Sequence, residues 1–231
     1  CSYVRNNAGY LELLKQEALT GETPEKLANS KASRIPLPDM VFAANNICNT
    51  ILKWYENFAK ELNIPFICID MPFNHTMPMT RHTKEYIVGQ FQAVIKQLEE
   101  ICGRPFNYEK FYQAQCQCQR TVYQWNRVAS FAQKKPSPLN GFDLFNYMAM
   151  VVVCRSKPYS EITLRRFADE LEEKNRIGKY AFGDAENEQH RITWEGIAVW
   201  PYLGGTFKEL KNEKTVMTGS AYPGMWDFEY I

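Results

Sequence analysis

The fold is decided by residues 38–70, which read PDMVFAANNICNTILKWYENFAKELNIPFICID. Two largely apolar runs, 38–44 and 66–70, bound this stretch and are typical of short buried strands. Between them, apolar residues recur at spacings of three and four and therefore share one face of a helix. These residues are Ile47, Ile51, Tyr55, Phe58 and Leu62. A strand, a helix and a second strand predict a parallel βαβ unit.

A second unit of the same kind is predicted near the other end of the chain. Residues 191–197 predict a strand, residues 201–211 a helix and residues 215–218 another strand. Pro201 suits the first turn of that helix, where its missing N–H costs nothing. Parallel strands joined by helices are the building blocks of Rossmann-like folds.

The segment between the two units has the pattern of helices. Apolar residues from 87 to 101 form one stripe, and further helices are predicted at 108–133, 143–154 and 160–175. Ser160 is the expected N-cap of the last of these helices. Residues 176–190 are polar and contain glycine, so they form the candidate linker between domains.

The predicted fold class is therefore α/β, with Rossmann-like parallel βαβ units, a helical middle segment and parts of two domains. Residues 1–105 are expected to be the end of a first Rossmann-like domain. Residues 106–190 are expected to form the helical segment and linker, and residues 191–231 the start of a second α/β domain. The 231 residues are enough to build a hydrophobic core.

Composition and charge exclude several classes of protein. The formal net charge is +1 and there is no basic tract, so neither nucleic acid nor an anionic membrane is an expected partner. The longest apolar run, 147–154, is far too short to cross a bilayer. Glycine-rich phosphate loops are absent. The seven cysteines show no disulfide-like spacing and no signal segment opens the chain, so reduced thiols in the cytoplasm are expected.

Most of the cysteines and histidines are expected to have structural or surface roles. Cys116 and Cys118 lie two apart on a predicted helix and point about 200° apart, so both cannot easily bind one metal ion. We expect them on different sides of that helix, with Cys118 the more buried. Three further cysteines are expected in the core and three histidines in ordinary surface or loop positions: Cys68, Cys102, Cys154, His75, His82 and His190.

Cys48 and Cys1 are the thiols with a possible chemical role. Cys48 lies just beyond a predicted strand, where a helix begins, and open α/β sheets bind ligands at that edge. A helix N-terminus also stabilises a thiolate. The position of Cys48 in the sequence leaves two alternatives, a functional thiolate or a buried thiol. The chain starts at Cys1, which leaves an N-terminal nucleophile, an internal ligand or an inert residue. The nucleophile is disfavoured because such hydrolases are built from antiparallel sheets.

Several segments resemble the 2-hydroxyacyl-CoA dehydratase family, most closely the α-subunits that act on (R)-2-hydroxyglutaryl-CoA. The most specific is Asn-Asn-Ile-Cys-Asn at 45–49, followed by Lys-Trp-Tyr-Glu-Asn at 53–57. Further matching segments are 69–74, 140–146, 189–192, 195–197 and 200–201, and the segment 1–5 resembles the family's first cluster-cysteine segment. The resemblance spans nearly the whole chain and implies a central fragment of a longer subunit.

This resemblance implies a [4Fe-4S] cluster held by three cysteines, of which Cys1 and Cys48 match the first and second. The third is expected downstream of Ile231, because the segment that follows Cys154 is only superficially similar and lies in the helical middle. Two ligands of one compact cluster should have sulfurs on the order of 6 Å apart. The fragment alone is expected to be inactive.

The implied activity is that of a hydro-lyase, which eliminates water from an (R)-2-hydroxyacyl-CoA through a ketyl radical anion to give the 2-enoyl-CoA. The implied partners are a second dehydratase subunit in a heterodimer, an ATP-dependent activator protein that donates the electron, and the acyl-CoA substrate. Two alternatives stay open. One is a benzoyl-CoA reductase-type subunit, and the other is a cluster-bearing electron-relay subunit without its own substrate site.

Overall fold

The computed structural model describes residues 2–29, 37–46, 48–75 and 78–226. The chain divides into two compact units, Cys1–Phe106 and Asn107–Ile231. Each unit combines helices with a small parallel sheet, so the predicted α/β class is confirmed. Across the described residues, no helix is both long enough and apolar enough to span a membrane.

The first unit contains a parallel βαβ arrangement flanked by further helices. Its elements are α1 (Ser2–Thr20), α2 (Glu25–Ala28), β1 (Val41–Ala44), α3 (Asn49–Leu62), β2 (Phe66–Ile69) and α4 (Arg81–Cys102). β1 and β2 pair in parallel, with Val41 opposite Phe66 and Ala44 opposite Ile69. The connection between them runs through α3, which confirms the unit predicted from residues 38–70.

Local sequence signals set the ends of the helices in this unit. α3 ends at Asn63, whose left-handed φ of 52° stops the helix. α4 begins after Thr80, whose hydroxyl accepts a hydrogen bond from the N–H of Thr83 at 3.2 Å. It ends at Gly103, which also adopts a left-handed φ, 62°. The buried core of the unit between β2 and α4 consists of Ile67, Ile69 and Val94.

Helix α1 contacts α3 and is not predicted by the apolar spacing. Leu14 is buried, and the Lys15 ammonium lies 3.8 Å from the Glu61 carboxylate on α3. Leu11 lines a small cavity together with Trp54 and Phe58 of α3. The helix is therefore held by tertiary contacts with α3 more than by a strong amphipathic pattern of its own.

In the described residues of the second unit, helices surround another parallel pair of strands. The elements are α5 (Tyr108–Ser130), α6 (Asp143–Val152), α7 (Pro158–Arg176), β3 (His190–Trp194), α8 (Leu203–Asn212), β4 (Thr215–Ser220) and α9 (Ala221–Gly224). β3 and β4 pair in parallel, with His190 opposite Thr215, and the register shifts after Ile192. The second predicted unit of strand, helix and strand is thus confirmed.

One core serves both the helices and the sheet of the second unit. Trp125 of α5, Phe145 of α6, Leu164 of α7 and Met217 of β4 are each at most 2% exposed. Burying a large apolar side chain contributes about 1.5–3 kcal/mol to stability, so this shared core joins residues before and after 190. The division of the whole protein into domains at 105 and 190 stays a prediction.

The predicted N-cap of α7 is wrong. The helix begins at Pro158, after Lys157, because proline lacks the N–H that the first turn would leave unpaired. Ser160 lies inside the first turn and is fully buried. Its hydroxyl donates a hydrogen bond to the carbonyl of Cys154 at 2.8 Å, which ties the start of α7 to the preceding turn.

The loop before α6 lies along the edge of β4 that faces away from β3. Asn140 Nδ2 donates a hydrogen bond to the Thr215 carbonyl at 3.2 Å, and Asn140 Oδ1 accepts one from the Met217 N–H at 3.4 Å. The Gly141 N–H donates to the Met217 carbonyl at 3.1 Å. A Cβ on Gly141 would lie 2.1 Å from that oxygen, so only glycine fits at this close approach.

Candidate functional site

Cys48 lies between β1 and α3 and is the N-cap residue of α3. Its φ and ψ of −56° and 126° are non-helical, and its carbonyl accepts hydrogen bonds from the N–H groups of Ile51 and Leu52 at 3.0 and 3.2 Å. The residue is exposed, so the alternative of a buried thiol is wrong. Cys48 therefore presents an accessible sulfur at the carboxyl end of the sheet.

The first turn of α3 favours the charged form of this thiol. The N–H of Ile51 has the largest effect, followed by the hydroxyl and N–H of Thr50, and together they lower the pKa of Cys48. These groups favour the charged form because each can donate a hydrogen bond to the thiolate sulfur. Thiolate is the form of cysteine that binds metals, and an exposed, stabilised thiolate is what a metal ligand needs.

A polar network joins the ends of the two strands next to Cys48. The Asn45 N–H donates to the Ile69 carbonyl at 3.1 Å, which extends the pairing of β1 with β2 by one residue. The Asn45 amide Nδ2 donates to a carboxylate oxygen of Asp70, and its Oδ1 accepts from the Met71 N–H at 2.7 Å. Asn45 is thus bonded to the β2 end through its main chain and both side-chain polar atoms.

Helix α4 anchors the other side of this network. Gln90 bonds both backbone groups of Asp70: its Oε1 accepts from the Asp70 N–H at 2.8 Å, and its Nε2 donates to the Asp70 carbonyl at 2.7 Å. The Tyr86 hydroxyl donates to the Asp70 carboxylate at 2.7 Å, and this bond raises the pKa of Tyr86. Sequence reasoning missed the network. The sequence feature that could have predicted it is a polar residue directly after each strand, Asn45 after β1 and Asp70 after β2.

The other predicted ligand, Cys1, lies outside the described residues, so the expected distance between its sulfur and that of Cys48 stays a prediction. Within residues 2–29, 37–46, 48–75 and 78–226, no three His, Cys, Asp or Glu side chains come together in a group that could hold a metal ion. The described part of the chain accordingly offers Cys48 as a single ligand from the predicted set.

Two cysteines predicted in the core are exposed. Cys68 lies on β2, whose alternate residues Ile67 and Ile69 are buried, so the strand turns Cys68 to its less covered face. Cys102 is exposed because it is the last residue of α4. Cys154 is half-buried. All three histidines are exposed, as expected.

Cys116 and Cys118 both lie on α5 and have different neighbours. Both are half-buried. The Tyr112 hydroxyl is hydrogen-bonded to Cys116, which raises the pKa of Tyr112. Burial raises the pKa of Cys118, and the charge of Arg155 opposes that effect. The prediction that the two thiols do not share a metal ion stays a prediction.

Comparisons with known proteins identify the family to which the chain is similar. A family model described as "2-hydroxyglutaryl-CoA dehydratase, D-component" matches residues 1–229. The chain is 60% identical over 230 residues to the lactoyl-CoA dehydratase subunit alpha of Anaerotignum propionicum, covering 100% of this chain and 54% of that protein. It is 41% identical over 196 residues to the (R)-2-hydroxyglutaryl-CoA dehydratase subunit alpha of Acidaminococcus fermentans, covering 85% of this chain and 41% of that protein.

A more distant similarity extends to a benzoyl-CoA reductase subunit of Thauera aromatica, at 23% identity over 202 residues, which covers 84% of this chain and 47% of that protein. The chain spans about half the length of the curated relatives it matches. The family match includes β1, Cys48 and the whole polar network at the strand ends. The chain therefore belongs to the 2-hydroxyglutaryl-CoA dehydratase D-component family, and its relatives in this comparison include α-subunits of 2-hydroxyacyl-CoA dehydratases.

Proposed function

We propose that the whole protein is the iron–sulfur α-type subunit of a 2-hydroxyacyl-CoA dehydratase, a hydro-lyase. The observation that carries the proposal is the exposed Cys48 thiol at the N-terminus of α3, in a chain of this dehydratase family. The substrate is an (R)-2-hydroxyacyl-CoA and the product is the corresponding 2-enoyl-CoA.

The donor chemistry at Cys48 fits an iron–sulfur cluster. Cysteine thiolates hold such clusters, and the first turn of α3 lowers the pKa of an exposed Cys48. We assign Cys48 as one ligand, and the resemblance adds Cys1 as a second. Bound there, a [4Fe-4S] cluster supplies one-electron transfer and, at an iron without a thiolate, a Lewis acid for the departing hydroxyl group.

Addition of one electron overcomes the two chemical obstacles to this elimination. In a 2-hydroxyacyl-CoA the C3 proton is barely acidic and hydroxide is a poor leaving group. One electron added to the thioester carbonyl gives a ketyl radical anion, which expels the 2-hydroxyl and becomes an enoxy radical with a far more acidic C3 proton. After loss of that proton the electron leaves again, so the net change is the removal of water.

The proposed partners and cellular location follow from the need of this chemistry for an electron donor. A second dehydratase subunit completes the heterodimer, in agreement with the α-subunit names of the relatives. An ATP-dependent activator protein delivers the first electron. We place the protein in the cytoplasm, where thiolate ligands and a strong reductant are kept reduced.

Replacing the Cys48 thiol tests the assignment. In the full-length subunit with its partner, purified without oxygen, Cys48→Ala is expected to lose most of its iron and its broad visible absorbance. The measurement is iron per protomer together with the absorption spectrum. Because Cys48 is exposed and makes no side-chain capping bond, the melting temperature of the iron-free protein should change little.

The matched control is Cys116→Ala, which removes a half-buried thiol that binds Tyr112 and is not assigned to the cluster. This variant should keep the wild-type iron content. Full iron retention in Cys48→Ala would instead remove Cys48 from the ligand set and withdraw the proposal for this site.

The substrate separates a catalytic subunit from an electron relay. Adding a 2-hydroxyacyl-CoA to the iron-loaded wild type is expected to change the visible or electron paramagnetic resonance spectrum, because the hydroxyl group approaches the iron. An unchanged spectrum, together with turnover in the assembled complex, would assign this subunit to electron relay and the substrate to its partner.

A further inference from the structure

We infer that Asn45 and Asp70 are positioning residues that fix the β1–α3 connection and thereby the location of Cys48. The inference deepens the proposed function, and only its iron measurement rests on that function. The observations that carry it are the hydrogen bonds at the carboxyl ends of β1 and β2. None of these bonds involves the Cys48 side chain.

Asn45 is held on three sides at the end of β1. Its N–H bonds the Ile69 carbonyl at 3.1 Å, its Oδ1 accepts from the Met71 N–H at 2.7 Å, and its Nδ2 donates to Asp70. This side chain is half-buried. Since a carboxylate accepts hydrogen bonds and an amide both donates and accepts, the two side chains are complementary as they stand.

Asp70 is in turn fixed to α4 rather than to a loop. Gln90 bonds its N–H and its carbonyl at 2.8 and 2.7 Å, and Tyr86 bonds its carboxylate at 2.7 Å. A continuous series of hydrogen bonds therefore runs from α4 through Asp70 to Asn45. The end of β1 is located by a long helix that itself packs on β2 through Val94.

Only two residues separate Asn45 from Cys48, and the other end of the connection is fixed by the first turn of α3, which bonds the Cys48 carbonyl. Asn45 is held by β2 and α4 and the Cys48 backbone by the first turn of α3, so the backbone position of Cys48 is constrained from both directions. Polar groups that hydrogen-bond a metal ligand directly change metal affinity about 10–100-fold when they are lost, and Asn45 acts on Cys48 one step further away, through the backbone, so the lower end of that range is expected.

We call the hydrogen bonds that join Asn45 to Asp70 and Met71 the clamp, and a donor–acceptor exchange tests it. Asn45→Asp replaces the amide donor by a carboxylate that faces Asp70, so the bond between them becomes a repulsion. The double variant Asn45→Asp/Asp70→Asn restores one donor and one acceptor in reversed order, and it keeps acceptors for the Met71 N–H and the Tyr86 hydroxyl. Asn29→Asp, an exposed position in the same unit, controls for the added charge.

In the full-length holoprotein, Asn45→Asp is expected to raise the rate of iron loss to a chelator by about 10-fold, and the double variant to return it near the wild-type rate. Hydrogen exchange of peptides covering 45–52 should rise in the single variant, fall back in the double variant and stay unchanged in Asn29→Asp. A single variant with wild-type exchange, or a double variant no better than the single one, would overturn the clamp.

The exchange measurement is repeated on the iron-free protein, which separates this inference from the proposed function. If Cys48→Ala retains its iron, the assignment of Cys48 fails, yet exchange at 45–52 still reports on the clamp. If Cys48 is confirmed as a ligand and the exchange pattern does not follow the swap, the clamp fails and the proposed function stands. Wild-type exchange in peptides from 92–102, at the end of α4 in the same unit, shows that this unit stays folded in each variant.

Discussion

Gly141→Ala is expected to unfold at a much lower denaturant concentration than the wild type. The added Cβ would lie 2.1 Å from the Met217 carbonyl oxygen and 3.0 Å from its carbon, both backbone atoms of a buried strand. A rotamer change cannot relieve that overlap, so the loop must move away and lose its hydrogen bonds to β4. We expect a loss of about 3 kcal/mol or more in the free energy of unfolding.

The measurement is urea unfolding followed by tryptophan fluorescence, with Gly205→Ala as the matched control. Gly205 lies in α8, where an added Cβ meets no atom within 4 Å. Alanine is favoured over glycine inside a helix, so this control should gain about 0.5–1 kcal/mol. A Gly141→Ala midpoint equal to that of the wild type would show that the loop does not pack on β4 as described.

Arg191→Met is expected to have the second large effect. The Arg191 guanidinium donates to the carbonyls of residues 132–134 at 3.0–3.3 Å and pairs with Glu188. The Glu188 side chain is only 6% exposed and also accepts from the Ser137 N–H at 2.7 Å. Methionine keeps much of the volume but leaves a buried carboxylate without its cation, which typically costs about 3–5 kcal/mol.

Arg176→Met is the matched control for this effect. Arg176 makes an ion pair with Glu173 at the same sequence spacing of three, but both side chains are more than half exposed. Exposed pairs of this kind contribute about 0–1 kcal/mol, so the control should unfold near the wild type. Equal midpoints for the two variants would mean that Arg191 contributes no more than a surface pair.

Both βαβ units are predictable from the sequence because their signals are local. The apolar run 66–70, the helical stripe that ends at Leu62 and the stop at Asn63 lie within a few residues of each other. Helix α1 is not predicted in this way because its contacts with α3, such as those of Leu11 with Trp54 and Phe58 around a small cavity, join residues far apart in the sequence. The prediction of Ser160 as the N-cap of α7 was wrong because Pro158 sets the start of that helix two residues earlier.

The candidate site is predictable in position but not in its surroundings. Cys48 follows a strand and precedes a helix, and this local pattern locates it at the sheet edge. The bonds that connect Asp70 to Asn45 and to Gln90 span 25 and 20 residues, and no sequence pattern specifies their pairing. The exposure of Cys68 also depends on which face of β2 is covered, and the apolar run around it gives no sign of that.

The hydrogen bonds between the loop at Asn140 and β4 have a consequence for self-association. A strand edge with unpaired N–H and C=O groups is a template on which another chain can add a strand, which leads to aggregation. Asn140 and Gly141 occupy the carbonyl of Thr215 and both backbone groups of Met217 on the side away from β3. An incoming strand would have to displace these bonds before it could pair there. The loop therefore protects this edge of β4 against pairing with a strand of another chain.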